Sequence, residues 1–124
     1  EALGDAVSFN EQNASGESVK CATIVNGLVA SQVDLILANA TAPLQAAASA
    51  TADIPVLGTA VTDYASALEI DNWTGTVGGN ISGTSDLAPL DQQAAMLQEL
   101  FPDAKTVGLL YCSAESGAIW SRRV

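Results

Sequence analysis

Short apolar runs alternate along this chain with alanine-rich stretches, and this alternation constrains the fold more than any other feature of the sequence. Runs that are typical of strands lie at residues 6–10, 33–38, 54–61 and 106–111, and the more polar residues 81–86 are interpreted as a short strand or crossing segment. The stretches with helical spacing of apolar residues lie at 19–31, 44–51 and 90–100. Strands joined by crossover helices form a parallel sheet. The pattern therefore predicts an α/β fold built from parallel βαβ units.

Small polar residues mark where two of these helices begin. Ser15 or Ser18 is expected to cap the helix over residues 19–31, and Thr41 is expected to cap the helix that follows it. The compact apolar run at 33–38 predicts a strand that is covered on both faces of the sheet.

Charge and composition exclude several kinds of partner and chemistry. Lys and Arg total 4 against 14 Asp and Glu, a net charge of -10 that a nucleic-acid backbone or an anionic bilayer would repel. The sequence has no histidine, so it holds no imidazole base and no Ser-His-Asp triad. With 48% hydrophobic residues, the chain is expected to form a packed domain rather than a disordered segment.

Cysteines and targeting signals say little about the compartment. Cys21 and Cys112 are too few for a disulfide framework or a zinc site, and are interpreted as buried hydrophobic residues of open redox state. No apolar stretch reaches the roughly 20 residues that a membrane helix needs. Residues 1–5 lack the basic start of a signal peptide. The chain is therefore expected to be soluble, with any signal removed or encoded upstream of Glu1.

Polar side chains follow every predicted strand. In open parallel sheets, ligands bind beyond the carboxyl ends of the strands, so these positions are the candidate ligand-binding residues. They are hydroxyls, amides and carboxylates, with no Lys or Arg among them: Asn13, Thr41, Thr62, Asp63, Ser85, Asp86 and Glu115.

This set of side chains suits a small zwitterion such as an amino acid. Hydroxyls and the free N–H groups of a helix amino terminus can hold a carboxylate, and we expect Thr41 and the N–H groups after it to do so. Carboxylates hold an ammonium through charge-assisted hydrogen bonds. Asp63, Asp86 or Glu115 is expected to receive the ligand ammonium.

Thr62 and Ser85 are expected to supply orienting hydrogen bonds, and Asn13 is a further candidate contact. Each candidate alone is also typical of a helix cap, a turn or an ordinary loop. The prediction rests on the agreement of all the strand ends.

Catalysis has little support. The stretch 75–80 lacks the spacing of a nucleotide-binding loop and is interpreted as a turn. Cys112 has no histidine to activate it, and no reactive lysine or metal cluster accompanies the carboxylates. The chain is therefore predicted to be a binding protein without a cofactor.

Four blocks of the sequence, in order, resemble motifs of the TrpX-type ABC transporter substrate-binding proteins. They read VDLILANATAPLQAA at 33–47, IPVLGTAVTD at 54–63, GNISGTSD at 79–86 and PDAKTVGLLY at 102–111. The resemblance keeps the family's spacing over roughly residues 5–116, which makes it far more specific than any single motif.

The resemblance implies an extracytoplasmic receptor, in the periplasm or lipid-anchored at the cell surface, with the type I fold of periplasmic binding proteins. Two lobes would close on an aromatic or other hydrophobic amino acid and present it to a membrane ABC permease. Residues 1–84 would form an incomplete amino-terminal lobe that lacks its first strand and helix. Residues 85–124 would form the crossing segment and the start of the second lobe, so the fold would be truncated at both ends.

The sequence departs from the family pattern in places. Tyr64 stands where the family usually has proline, residues 68–78 differ and contain Trp73, and residues 116–120 do not continue the family's helix. Two other functions remain open at this point: a flavodoxin-like or hydrolase-like enzyme domain, and the ligand-sensing lobe of a regulator.

Overall fold

The computed structural model describes residues 4–108 and residue 110. Three strands form one sheet in the order β1-β2-β3, and both strand pairs are parallel. After a short 3-10 turn at Gly4–Ala6, the elements are α1 (Ser18–Ala30), β1 (Ile36–Asn39), α2 (Thr41–Ala50), β2 (Val56–Val61), α3 (Tyr64–Ala67), β3 (Ile81–Ser85) and α4 (Leu90–Leu100). The predicted parallel α/β fold is confirmed.

The hydrophobic core lies between α2 and one face of the sheet. The largest fully buried side chains are Leu44 of α2 with Val56 and Val61 of β2. Helix α2 contacts both β1 and β2, and α1 packs against α2. Ala38 and Ala47 are also buried, and their small side chains allow the helix to approach the strands closely. The crossover from β1 to β2 is thus held by apolar packing along its whole length.

Asn80 ties together the loops at the amino ends of β2 and β3. Its side-chain amide donates to the Thr51 carbonyl at 3.2 Å and to the Ile54 carbonyl at 2.7 Å. Its own carbonyl accepts the Val56 N–H at 2.8 Å. These bonds set the register in which Val56 faces Ile81.

The second face of the sheet is open among the described residues, so the prediction of a strand covered on both faces is wrong for them. Leu37 is 67% exposed, and its neighbour in the register, Leu57, is also exposed. The reason lies in the crossovers: α2 and α3 contact each other and both contribute to the same core cluster.

Two predicted strands are not formed among the described residues. Residues 7–10 have no strand pairing, and Phe9 within them is 78% exposed. Residues 106–108 and 110 have none either, while 109 and 111 lie outside the described residues. A strand needs a neighbour for its hydrogen bonds, and the described sheet brings no strand to either segment.

Helix starts and connections also differ from the predictions. Glu17, and neither Ser15 nor Ser18, is the N-cap of α1. Ala40 is the N-cap of α2, so Thr41 is its first residue and does not cap it. The segment 63–72, which reads in the sequence as a mixed connection, contains α3.

Helix α4 has the bounds that its periodicity predicts, but none of its residues is buried. Met96, Leu97 and Leu100, together with Phe101 after the helix, are all exposed. The helix therefore forms without an apolar partner in the part of the chain that the structure describes.

We predict opposite effects for alanine at two glycines. A Cβ at Gly83 would collide with the Gly58 carbonyl and the Tyr64 hydroxyl, so Gly83→Ala should lower the free energy of unfolding by about 3 kcal/mol. Gly27 lies inside α1 with open space around it, so Gly27→Ala should raise that free energy by about 0.5–1 kcal/mol. Urea unfolding measures both, and an unchanged Gly83→Ala variant would show that the close approach of β2 and β3 is not needed.

The open leucine face, formed by Leu37 and Leu57, predicts that the isolated 124-residue chain associates with itself. Replacing Leu37 and Leu57 by threonine should shift the chain toward monomer in analytical ultracentrifugation, because threonine keeps the strand preference while removing apolar surface. Val7→Thr is the control, since Val7 is exposed but outside the sheet. A monomeric wild-type chain with a sharp cooperative melt would contradict this prediction.

Candidate functional site

The carboxyl ends of the three strands meet at one edge of the sheet. At the end of β1, Asn39 faces Thr59, and the Ala40 N–H donates to the Thr59 carbonyl at 2.9 Å. At the end of β2, Val61 faces Ser85. The candidate residues that follow or end these strands at this edge are Thr41, Thr62, Asp63, Ser85 and Asp86.

The end of β3 is tied closely to β2. The Ser85 hydroxyl donates to the Thr62 carbonyl at 2.8 Å, and the Asp86 N–H donates to the Val61 carbonyl at 3.2 Å. The Ser85 oxygen also accepts the Leu87 N–H at 3.1 Å. A hydroxyl has one donor and two acceptor positions, so Ser85 in this state has acceptor capacity left and no donor. It can therefore receive a hydrogen bond from an ammonium and cannot give one to a carboxylate.

Asp63 is the N-cap of α3. Its two carboxylate oxygens accept from Ser66, one from the backbone N–H at 3.2 Å and the other from the hydroxyl at 3.0 Å. This short helix turns the chain directly after β2, which explains locally why an aspartate stands here. Asp63 thus has a structural role that is independent of any ligand.

The amino terminus of α2 has an unusual entry. Ala40 has φ 89° and ψ 168°, a backbone conformation that residues other than glycine rarely adopt. No side chain caps the helix, and Pro43 has no N–H. Thr41 and Ala42 lie in the first turn, where no helical residue stands four positions earlier to accept their N–H groups. These N–H groups therefore lack an intrahelical partner. These two N–H groups can donate hydrogen bonds to an anion at this turn.

Tyr64 lies beneath this edge, and reasoning from the sequence did not identify it as part of the site. Its ring is buried against Gly58, and its hydroxyl donates to the Thr84 carbonyl at 3.2 Å. Burial, and then the negative charge of Asp86, raise the pKa of the Tyr64 hydroxyl above its usual value. The phenol is therefore neutral over the ordinary pH range. Its only signal in the sequence is that it replaces a family proline.

Two other candidates, Asn13 and Glu115, follow predicted strands that are not part of the described sheet. Asn13 lies before the turn that leads into α1, where its carboxamide oxygen accepts the Ser15 N–H at 2.8 Å. The strand that Asn13 was expected to follow is not formed in the structure. Glu115 lies outside the described residues. Both assignments stay predictions.

A groove lies between α1 and α2, and Ala42 at the amino terminus of α2 is one of its lining residues. It is lined by small and uncharged side chains, among them Ala22, Asn26, Ala46 and Ser49. None of the candidate residues lines it. Among the described residues there is no cluster of three or more acidic or cysteine side chains that could hold a metal ion. Within the same residues, no helix has the length and hydropathy to cross a bilayer.

Comparison with known proteins gives consistent matches. A family model described as ABC transporter substrate binding protein matches residues 2–123. A curated protein of Clostridioides difficile (strain R20291), described as "Tyrosine-binding protein", is 38% identical over 112 residues. That match covers 90% of this chain and 32% of the relative.

Two solved structures have the same fold. The ABC domain in complex with L-Trp from Streptococcus pneumoniae has a TM-score of 0.81 and 37% identity, over 93% of this chain and 40% of that one. A conserved domain protein from Vibrio cholerae O1 biovar El Tor strain N16961 has a TM-score of 0.84 and 31% identity, over 96% of this chain and 40% of that one. The chain therefore spans less than half the length of these proteins.

The raised pKa of Tyr64 gives a prediction for alkaline pH. The side chain of tyrosine in an unfolded chain ionises at about pH 10. The folded state holds its proton to higher pH, so this stabilisation is fully present below about pH 10 and is lost as the pH rises through the folded-state pKa. Between about pH 9 and pH 11 the free energy of unfolding should fall more in the wild-type protein than in Tyr64→Phe. Urea unfolding at both pH values measures the difference, and equal falls in the two proteins would contradict it.

Proposed function

The chain belongs to the family of ABC transporter substrate-binding proteins, and we propose that it forms part of an extracytoplasmic receptor for an aromatic amino acid. The observation that carries the proposal is the meeting of hydroxyl, carboxylate and helix N–H groups at one edge of the sheet. Relatives described as binding tyrosine or L-Trp support the class of ligand. The family consists of binding proteins, which decides against the flavodoxin-like or hydrolase-like enzyme.

The amino terminus of α2 is the proposed receptor for the ligand carboxylate. The Thr41 and Ala42 N–H groups lie at the positive end of the helix dipole, directly after β1. The Thr41 hydroxyl adds a donor beside them. The strained conformation of Ala40 supports this role, because it sets the direction in which this turn leaves the sheet.

The ends of β2 and β3 are the proposed receptor for the ligand ammonium. Asp86 and Asp63 bring negative charge, and the Ser85 oxygen has acceptor capacity only. Thr62 directly precedes Asp63, and its carbonyl accepts the hydrogen bond of the Ser85 hydroxyl. A zwitterion would therefore lie across the edge, with its carboxylate toward α2 and its ammonium toward β3.

The lobe boundaries stay part of the proposal. We place residues 1–84 in an incomplete amino-terminal lobe that lacks its first strand and helix, and residues 85–124 in the crossing segment and the start of a second lobe. The open leucine face and the outer edge of β1, which pairs with no other described strand, support the first part of this proposal, because a further strand and helix would cover them. A membrane ABC permease is the proposed partner of the closed receptor.

Acid-to-amide substitutions in the full-length receptor test the ligand site. Asp86→Asn should weaken binding of L-tryptophan or L-tyrosine about 10-fold or more, because a charge-assisted hydrogen bond is replaced by a neutral one. Asp63→Asn should also weaken binding while α3 stays capped, since asparagine caps helices as well as aspartate does. Isothermal titration calorimetry gives the affinities.

Asp53→Asn is the matched control for both variants. Asp53 stands before the amino end of β2, at the edge of the sheet opposite the candidate site, so its substitution should leave the affinity unchanged. If Asp63→Asn and Asp86→Asn both bind the amino acid as tightly as the wild-type receptor, the proposed ammonium site is wrong.

A further inference from the structure

Tyr64 is outside the proposed set of ligand contacts, yet its side chain joins β2, α3 and β3. We infer that Tyr64 is a positioning residue, whose hydroxyl fixes the carboxyl end of β3 so that Ser85 and Asp86 face the ligand. This inference rests on the proposed function.

The ladder between β2 and β3 is interrupted where Tyr64 acts. Gly58 faces Gly83 and Val61 faces Ser85, so two residues of β2 stand opposite Thr84 alone. The extra residue is accommodated by Ala60, which has a positive φ of 52°. Such a bulge disrupts the backbone hydrogen bonds of the ladder locally. The Tyr64 hydroxyl supplies a donor to the Thr84 carbonyl at 3.2 Å.

Two facing glycines make room for this side chain. A Cβ at Gly58 or at Gly83 would collide with the Tyr64 hydroxyl. The ring therefore reaches across β2 to β3 through space that only a glycine pair leaves open. Tyr64 is 6% exposed, so its hydroxyl is held by packing as well as by the hydrogen bond.

The ligand residues come directly after the fixed carbonyl. Beyond the bulge, the end of β3 is held to β2 by the Asp86 N–H on the Val61 carbonyl and by the Ser85 hydroxyl on the Thr62 carbonyl. Without the Tyr64 bond, the bulge and these two contacts alone would set the position of the Asp86 carboxylate.

Tyr64→Phe in the full-length receptor tests the inference. Phenylalanine keeps the ring against Gly58 and removes only the hydroxyl. We expect the affinity for L-tryptophan or L-tyrosine to fall about fivefold, which corresponds to the loss of one ordinary hydrogen bond. Amide hydrogen exchange at Asp86 should become faster in the ligand-free variant, because its bond to the Val61 carbonyl would open more often.

Val25→Ala is the control for a purely structural effect. Val25 is buried in α1, away from β3, so its truncation should lower the melting temperature while the ligand affinity stays unchanged. A double variant with Ser85→Ala adds a second readout. If Tyr64 acts through the end of β3, the factor by which Tyr64→Phe weakens ligand binding should be smaller in the Ser85→Ala background.

The outcomes separate this inference from the proposed function. A wild-type receptor that binds the amino acid, with Tyr64→Phe binding equally well, overturns the positioning role alone. A wild-type receptor that binds neither amino acid overturns the proposed function and the positioning role together. Unchanged exchange at Asp86 in Tyr64→Phe overturns the positioning role whatever the ligand result.

Discussion

The parallel pairing of β1, β2 and β3 is the constraint on which the candidate site depends. Because the strands run in one direction, each returns through a crossover, and the crossovers through α2 and α3 contribute to one core cluster. The same parallel order brings every turn that leaves a strand to one edge. An antiparallel order would put Asp63, which follows β2, at the edge opposite Thr41 and Asp86. The chemistry of the edge therefore follows from the topology, and the topology follows from the alternation of strand and helix in the sequence.

Hydrogen bonds within the fold then decide what each polar group can offer to a ligand. The Ser85 hydroxyl already donates its hydrogen bond to the Thr62 carbonyl, and the Asp63 carboxylate already accepts two hydrogen bonds from Ser66. The N–H groups at the start of α2 lack intrahelical acceptors. Acceptors and negative charge thus gather at β2 and β3, while donors gather at α2. Residue types alone do not separate these roles, since serine and threonine can each act as donor or acceptor.

The sequence predicts the elements whose stability is local or whose apolar pattern matches a described partner. Helix α4 has the predicted bounds because its period is intrinsic to the helix, and β2 lies within its predicted run because its neighbours are present. Residues 7–10 show strand-like alternation but form no strand, since pairing depends on a neighbour that no local pattern reveals. Tyr64 escaped prediction because its role depends on a bulge in β2 and on two facing glycines. Only the register of the strands brings these features together.

In the proposed receptor, the polar edge formed by the ends of β1, β2 and β3 would recognise the part of a ligand that all amino acids share. An α-carboxylate and an α-ammonium match the donors at α2 and the acceptors at β2 and β3, whatever side chain the ligand has. Small ligands in protein sites usually bury most of their surface, and an open sheet edge covers them from one direction only. In the proposed receptor, selectivity for an aromatic side chain would therefore need a second surface that closes over the edge. This requirement is physical and independent of sequence similarity, and it agrees with a receptor whose two lobes share one ligand.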